Sequence, residues 1–252
     1  MTTQPNNTIS LPQGKPRISP FPLLAALTGL LLAGQWLPAI KFFSTPASYL
    51  PLHTFLEFVA IVISAMVFAI AWNQRTRPDN SHAILLGCGF LAVCLIDFGH
   101  TLSYAGMPEL VTPSGAEKAI NFWLAGRYVA ATVLLSVALT SPRRWSQGAC
   151  YGALLAALST IALVWWVALG HPDWLPRTFI AGQGLTGIKV GAEYLVAALY
   201  LTAGGIIIAR QRKAGNDDQI WLGVAACVQA LAEMFFTLYA DVTDIFNLLG
   251  HV

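Results

Sequence analysis

Charged residues are scarce in this chain of 252 residues: only 10% are Asp, Glu, Lys or Arg, whereas 56% are hydrophobic. An ordinary soluble domain carries roughly 25% charged residues, because charge helps to cover a surface that faces water. The scarcity therefore excludes a soluble globular protein of this size. The mean hydropathy of +0.62 agrees, since it indicates that apolar residues are not confined to a core.

Motifs of several common functions are also missing. The cysteines lie in apolar stretches without Cys-x-x-Cys spacing, which favours packing over a disulfide framework or a zinc finger. No GxxxxGK[ST] phosphate loop occurs, and the GQGLTG run at 182–187 lacks the strand and the lysine of such a loop, so it is predicted to be a turn. A net charge of +2, spread over scattered basic residues, predicts no nucleic-acid partner.

Long apolar stretches are what the sequence does contain. A helix needs about 20 mostly apolar residues to cross the hydrocarbon core of a bilayer. Seven stretches qualify, near residues 20–40, 52–72, 83–104, 120–140, 149–169, 190–208 and 219–240. The sequence therefore predicts an all-α, polytopic transmembrane helical bundle. Residues 1–17 are predicted to be a disordered cytoplasmic tail, and residues 18–252 a single transmembrane domain.

The connections between these stretches differ in their content of Lys and Arg. Alternate connections carry nine basic residues, which are Lys15, Arg17, Arg75, Arg77, Arg143, Arg144, Arg210, Arg212 and Lys213. The remaining connections carry four, which are Lys41, Lys118, Arg177 and Lys189. Cytoplasmic loops are the ones enriched in basic residues, so the N-terminus is predicted to be cytoplasmic. Seven spans then end outside, where FNLLGHV at 246–252 predicts the start of an eighth span that is cut off at the C-terminus.

Charged residues interrupt five of the predicted spans. They are Glu57, Asp97, Arg127, Glu193 and Glu233. Each costs about 2.5–3.5 kcal/mol at a helix centre, so intramembrane charges are candidates for function by default. At a rise of 1.5 Å per residue, all five lie about 5–10 Å below the outer end of their span. They are therefore predicted to share one level in the outer half of the membrane.

Helical phase adds further polar side chains to these charges. Three sets of polar residues each form a stripe along one face of a predicted helix. They are His53 with Glu57; Asp97, His100 and Tyr104; and Gln229, Glu233 and Thr237. Lipid cannot satisfy polar groups, so each stripe is predicted to face the interior of the bundle. The result is a predicted polar pocket that opens outward, with His251 at the same depth if an eighth span begins there.

The predicted pocket has more negative than positive charge, because four carboxylates face one arginine. A buried excess needs compensation by protonated acids, by cationic histidines, or by a bound metal or cationic ligand. Histidine and carboxylate suit zinc, iron, copper or manganese, which makes His53, Glu57, Asp97 and His100 possible metal ligands and leaves a metal ion or haem as a possible cofactor. Alternatively, Arg127 pairs with Asp97 or Glu57, and the other polar groups hydrogen-bond the helices together.

Several segments together resemble the membrane-associated sensor domains of the MASE type, third class, over residues 48–252. They are LHTFLEF at 52–58, WN at 72–73 with DNS at 79–81, IDFGHTLSYAGM at 96–107, FWLAGRY at 122–128 and FNLLGHV at 246–252. The resemblance implies a multi-pass input module of the bacterial inner membrane that is followed by a cytoplasmic output module. The family pattern carries onto His53, Glu57, Asp97, His100, Arg127 and His251.

Two functions compete at this point. In the first, a non-enzymatic sensor binds an unidentified ligand or ion and signals to an output module of the diguanylate cyclase or histidine kinase type, in cis or in trans. Its predicted pocket comprises His53, Glu57, Asp97, His100, Tyr104, Arg127, Glu193, Glu233 and His251. In the second, the bundle is an intramembrane metal-dependent hydrolase resembling the ceramidase type, although no HxxxH pair lies on one span. Transport is disfavoured because the inner halves of the spans are apolar.

Membrane lipid is an expected partner in either case, and the resemblance makes a homodimer possible. Pairs of glycines, Gly87 with Gly89 and Gly204 with Gly205, permit close helix contact. That contact is predicted to be within one chain rather than between two.

Overall fold

Eight α-helices make up most of the computed structural model, which describes residues 19–34, 36, 43–215, 217–238 and 245–251. They are α1 (Phe21–Gly34), α2 (Pro46–Asn73), α3 (Ser81–Ser103), α4 (Ala116–Leu139), α5 (Gln147–Gly170), α6 (Gly187–Ala214), α7 (Asp217–Phe235) and α8 (Ile245–His251). The predicted all-α bundle is confirmed. The tail over residues 1–17 lies outside the described residues.

Five helices, α2 to α6, are long and apolar enough to cross a bilayer. They correspond to the second through sixth predicted spans. The first and seventh predictions fall on shorter apolar helices, α1 and residues 219–235 of α7, and their crossing of the membrane stays a prediction. Helix α8 begins where the eighth span was predicted to begin.

Local sequence explains the ends of α6, which extends beyond the predicted range of 190–208. The hydroxyl of Thr186 accepts a hydrogen bond from the backbone N–H of Lys189, which caps the start of the helix. Gly215 ends it with a left-handed φ of 67°, a conformation that glycine adopts without strain. Before α6, a short hairpin of β1 (Phe179–Ile180) and β2 (Gly184–Leu185) contains the glycine-rich run, so the predicted turn is confirmed.

Helices α3 and α4 form the centre of the bundle. Helix α3 packs against α2, α4 and α5, and α4 packs in turn against α6, which pairs with α7. Helix α7 also contacts α1 and α8. The cysteines are all free, and Cys88, Cys94 and Cys150 are buried, in agreement with their predicted role in packing.

Helices α2 and α5 lie at the periphery and expose apolar side chains. In the most apolar 18-residue stretch of each helix, only 17% of α2 and 11% of α5 is buried, against 56% of α3. The exposed residues include Phe55, Val62, Ile63, Met66 and Ile70 on α2 and Leu155, Leu158 and Leu163 on α5. Exposed apolar faces of this extent are typical of contact with lipid.

The C-terminal ends of α4 and α6 are joined by Arg210. Its guanidinium donates hydrogen bonds to the carbonyl oxygens of Ala138 and Thr140 and to the hydroxyl of Ser141. The last carbonyls of a helix lack partners within the helix, and a cation at that end is favourable. Arg210 thus stabilises this end of the bundle, whose cytoplasmic location stays a prediction from the distribution of basic residues.

The crossing of α6 and α7 depends on Gly204, and we expect Gly204→Val to destabilise the bundle. A Cβ atom on Gly204 would lie 2.7 Å from both the Sγ of Cys227 and the carbonyl oxygen of Gly223. Overpacking of this kind typically costs about 1–3 kcal/mol. Thermal unfolding of the purified protein in detergent measures the loss.

Gly205→Val is the matched control, because no atom lies within 4 Å of a Cβ added to Gly205. Valine also has a higher helix propensity than glycine, so this variant should be at least as stable as the parent. Equal melting temperatures for the two variants would contradict the predicted packing. The atoms close to Gly204 belong to Gly223 and Cys227 of the same chain, so this contact is intramolecular, as predicted.

Candidate functional site

The predicted pocket residues face the interior of the bundle, as their helical phase indicated. His53, Glu57, Asp97, His100, Tyr104, Glu193 and Glu233 are buried, and the side chains of Arg127 and His251 are 15% and 6% exposed. The structure separates them into two groups. One contains the histidines with Glu57, against which Tyr104 packs, and the other contains the ion pairs of α3, α4 and α6. Glu233 on α7 accepts a hydrogen bond of 3.0 Å from the side chain of Gln229.

The first group, called the histidine cluster here, consists of His53, Glu57, His100 and His251. The Nε2 atoms of His53 and His100 are 3.3 Å apart, and the Nε2 of His251 lies 3.4 Å from the Oε1 of Glu57. The same Oε1 lies 3.9 Å from the Nε2 of His53 and 3.9 Å from that of His100. Helices α2, α3 and α8 thus bring one potential ligand atom from each residue within 4.8 Å of the others.

Backbone carbonyls determine the tautomers of two of these histidines. The Nδ1–H of His100 donates to the carbonyl oxygen of Ala119 over 2.8 Å, and the Nδ1–H of His251 donates to that of Asn247 over 2.7 Å. A neutral imidazole that donates through Nδ1 has its lone pair on Nε2. His100 and His251 therefore direct lone pairs into the cluster. The Nδ1 of His53 is buried without a hydrogen-bond partner among the described residues.

Aromatic rings form one wall of the cluster. The Tyr104 ring stacks on the His53 ring with a centroid separation of 3.8 Å. The Tyr49 hydroxyl lies 3.5 Å from the Nδ1 of His251, and the Phe236 ring meets the His251 ring edge-on at 4.8 Å. These contacts exclude bulk solvent from the imidazoles.

Asp97 belongs to the second group and not to the histidine cluster. Its carboxylate forms an ion pair with Arg127, the pairing that one of the sequence alternatives contained. Gly126 makes this approach possible, because a Cβ there would lie 2.7 Å from the Oδ1 of Asp97. Of the four predicted metal ligands, His53, Glu57 and His100 lie together with His251, whereas Asp97 lies outside this cluster; metal binding itself stays a prediction.

Lys189 also belongs to the second group, although the sequence placed it in an outer connection. Its side chain is 1% exposed, pairs with Glu193 one helical turn later, and donates a hydrogen bond of 3.0 Å to the carbonyl oxygen of Phe236. The pocket therefore has two cations and not one.

A second correction concerns Thr237, which follows the end of α7. Its hydroxyl donates a hydrogen bond to the carbonyl oxygen of Met234, so the third polar stripe ends at Glu233.

Residues of both groups line a cavity of about 30 Å³. His100, Tyr104 and His251 contribute to its lining, and so do Lys189 and Glu193. This volume holds one or two water molecules or an ion. It is far below the roughly 300–1,000 Å³ of pockets for organic ligands, so the described conformation suits an ion better than haem.

Residues 44–252 match the family model of MASE3, described as a membrane-associated sensor domain. The chain belongs to this family. Comparisons with curated proteins and with solved structures each gave no match. Membership confirms the resemblance inferred from the sequence, and it identifies the helical bundle as a membrane-associated sensor domain.

Two side chains at the candidate site are absent from the pocket predicted from the sequence. Tyr49 precedes His53 by four residues, and Lys189 precedes Glu193 by four, so each pair lies on one helix face. That spacing is the signal that could have found them. Lys189 was missed because basic residues near the ends of spans ordinarily extend toward the membrane surface.

Proposed function

We propose that this membrane-associated sensor domain binds a small ligand or ion at the histidine cluster and transmits the binding event through α8. The observation that carries the proposal is the position of His251. It is the only member of the cluster on α8, and it meets Glu57 of α2, a residue 194 positions earlier in the chain. Binding at the cluster therefore acts on the packing of α8 against α2.

Helix α8 is also held in place by apolar packing, because Phe246 is buried and Ile245, Leu248 and Leu249 pack against the core. Apart from His251, its described contacts include Gly250, which packs so closely on the Phe236 ring that a Cβ would lie 2.5 Å from it, and Phe246, which is buried near Gly34 of α1. A ligand that bridges α2, α3 and α8 favours the docked arrangement of α8 over any other. Such coupling between two sites is typically worth about 1–3 kcal/mol, or 5–150-fold.

The output step follows from the family and from the predicted orientation. In this proposal the domain lies in the inner membrane of a bacterium with its N-terminus in the cytoplasm. The signal from α8 passes to a cytoplasmic output module of the diguanylate cyclase or histidine kinase type, in cis or in trans. A homodimer is the arrangement in which such output modules work together, and membrane lipid covers the exposed faces of α2 and α5.

We expect His251→Ala to change the output of a signalling chimera by about 5-fold or more, the lower end of typical coupling. The chimera joins this chain, through the last spanning helix of a related sensor domain, to a cytoplasmic diguanylate cyclase. Cyclic di-GMP in cells that contain equal amounts of each chimera is the measured quantity.

His171→Ala is the control for this experiment. His171 follows α5, stacks on the Trp174 ring at 4.3 Å and lies outside the cluster, so its replacement should leave the output unchanged. Equal output from the parent and the His251→Ala chimera, both inserted in the membrane, would reject the proposal.

A further inference from the structure

The spacing of the histidine cluster is close to that of a tetrahedral metal site. Ligands at about 2.0–2.1 Å from a zinc ion lie roughly 3.3 Å from one another. The Nε2 atoms of His53 and His100 are 3.3 Å apart, which equals this separation. The Nε2 of His251 and the Oε1 of Glu57 are 3.4 Å apart, which is close to it. All four ligand atoms lie within 4.8 Å of one another, so small movements of the side chains complete a tetrahedron.

The hydrogen bonds behind the cluster are those that orient metal ligands. Histidines that bind a metal almost always donate their other ring N–H to a carboxylate, a carbonyl or water. His100 does so toward Ala119, and His251 does so toward Asn247. In the described structure the Nε2–H of His53 donates to the Nε2 of His100 over 3.3 Å, so His53 binds a metal through Nε2 only after its proton moves to Nδ1, which has no other partner among the described residues.

Both the imidazole lone pairs of the histidine cluster and the excess of buried negative charge favour a cation at this position. The Nε2 lone pairs of His100 and His251 face the carboxylate of Glu57, an arrangement of acceptors that a proton or a cation must stabilise. Four buried carboxylates and two cations among the described residues also leave two negative charges, with the histidines neutral. A divalent ion compensates both charges, and buried charge is tolerated only when it is paired.

We infer that His53, Glu57, His100 and His251 bind one divalent first-row transition-metal ion, and that Zn²⁺ fits the site. Imidazole with carboxylate is a donor set that suits zinc, iron, copper and nickel rather than magnesium or calcium. The inference rests on the proposed function, because it names the ligand class of the same site.

The number of ligands distinguishes this site from a catalytic one. Catalytic zinc sites have three protein ligands and an open position for water, whereas sites with four protein ligands are closed. The histidine cluster supplies four. The inferred site therefore favours a sensor over the hydrolase that the sequence left open.

Zinc binding by the purified chain is the first test. After treatment with a chelator, the chain in detergent is titrated with Zn²⁺, and the metal retained after desalting is determined by elemental analysis. We expect about one Zn²⁺ per chain. Loss of a second-sphere partner alone weakens metal binding by about 10–100-fold, so His100→Ala should weaken it at least as much, whereas His171→Ala should bind like the parent. Absence of stoichiometric binding, or equal loss in both variants, overturns the inference.

Cobalt gives a readout that misfolding cannot imitate. Co²⁺ in the parent chain should show the visible absorption of tetrahedral coordination. His251→Cys should retain Co²⁺ and add a thiolate-to-metal charge-transfer band, and His171→Cys should not. A parent spectrum typical of octahedral, water-bound Co²⁺ overturns the inference, as does a His251→Cys protein that binds Co²⁺ without the new band.

The binding measurements and the chimera measurement can fail separately. If Zn²⁺ binds as expected while His251→Ala leaves the output of the chimera unchanged, the metal site stands and the proposed signalling role fails. If His251→Ala changes the output while the purified chain binds neither Zn²⁺ nor Co²⁺, the signalling role stands and the metal inference fails.

Discussion

Arg127→Met is expected to cost about 3–5 kcal/mol of stability, the penalty for removing one partner of a buried ion pair. Asp97 is 2% exposed, and its carboxylate would keep its negative charge in the interior without the guanidinium. Its Oδ1 already has no hydrogen-bond partner among the described residues, so no second donor replaces Arg127 there. Unfolding of the purified protein in detergent, followed by circular dichroism, measures the loss.

A second variant separates the effect of charge from that of lost volume. Arg127→Met combined with Asp97→Asn removes both charges, so no uncompensated charge stays in the interior. Most of the lost stability should therefore return. Failure of the double variant to regain stability would show that the ion pair is not the cause.

A surface pair in the same protein provides the matched comparison. Arg177 pairs with Glu117 at 2.6 Å, but its side chain is 69% exposed. Exposed pairs contribute about 0–1 kcal/mol, because water competes for both charges. Arg177→Met should thus unfold nearly as the parent does, and a loss equal to that of Arg127→Met would contradict the role of burial.

Lys189→Met is expected to have an effect of similar size, about 3–5 kcal/mol, for the same physical reason. Both Lys189 and Glu193 are fully enclosed, and neither carboxylate oxygen of Glu193 has another hydrogen-bond partner among the described residues. The substitution also removes the hydrogen bond to the carbonyl of Phe236, next to His251 in the structure. Thermal unfolding and the yield of monodisperse protein are the measurements.

The variant expected to restore stability and the control variant both change residues of α6. Glu193→Gln in the Lys189→Met background removes the stranded charge, and the coupling between residues in one such pair is typically about 0.5–3 kcal/mol in a double-mutant cycle. Lys213→Met changes an exposed lysine near the end of α6 and should leave stability within about 0.5 kcal/mol. Additive losses for Lys189 and Glu193 would contradict a direct pair.

The hydropathy of the chain was enough to predict most of the fold. Apolar length determines which segments can cross a bilayer, and five of the seven predicted spans are helices of spanning length. The interior direction of the polar stripes was also predictable, because lipid offers no hydrogen bonds. The prediction that His251 lies near the other polar residues agrees with its contact with Glu57.

The pairing of the polar residues was beyond the sequence. Asp97 and His100 lie within one sector of α3, yet Asp97 pairs with α4 and His100 meets α2. The periodicity of one helix predicts which side chains face the interior. It does not predict which helices pack on the two sides of that polar stripe. The burial of Lys189 has the same origin, since it requires α7 to place the carbonyl of Phe236 within reach.

The histidine cluster also has a consequence for biosynthesis. Its four members come from positions 53, 57, 100 and 251, so the site draws on widely separated parts of the chain. Domains form as the ribosome delivers them, the N-terminal part first. A nascent or truncated chain that ends before residue 251 carries the first two histidines and lacks the third. The four-residue cluster can therefore assemble only after α8 has been synthesised, so a chain that lacks α8 also lacks the complete site of the proposed function.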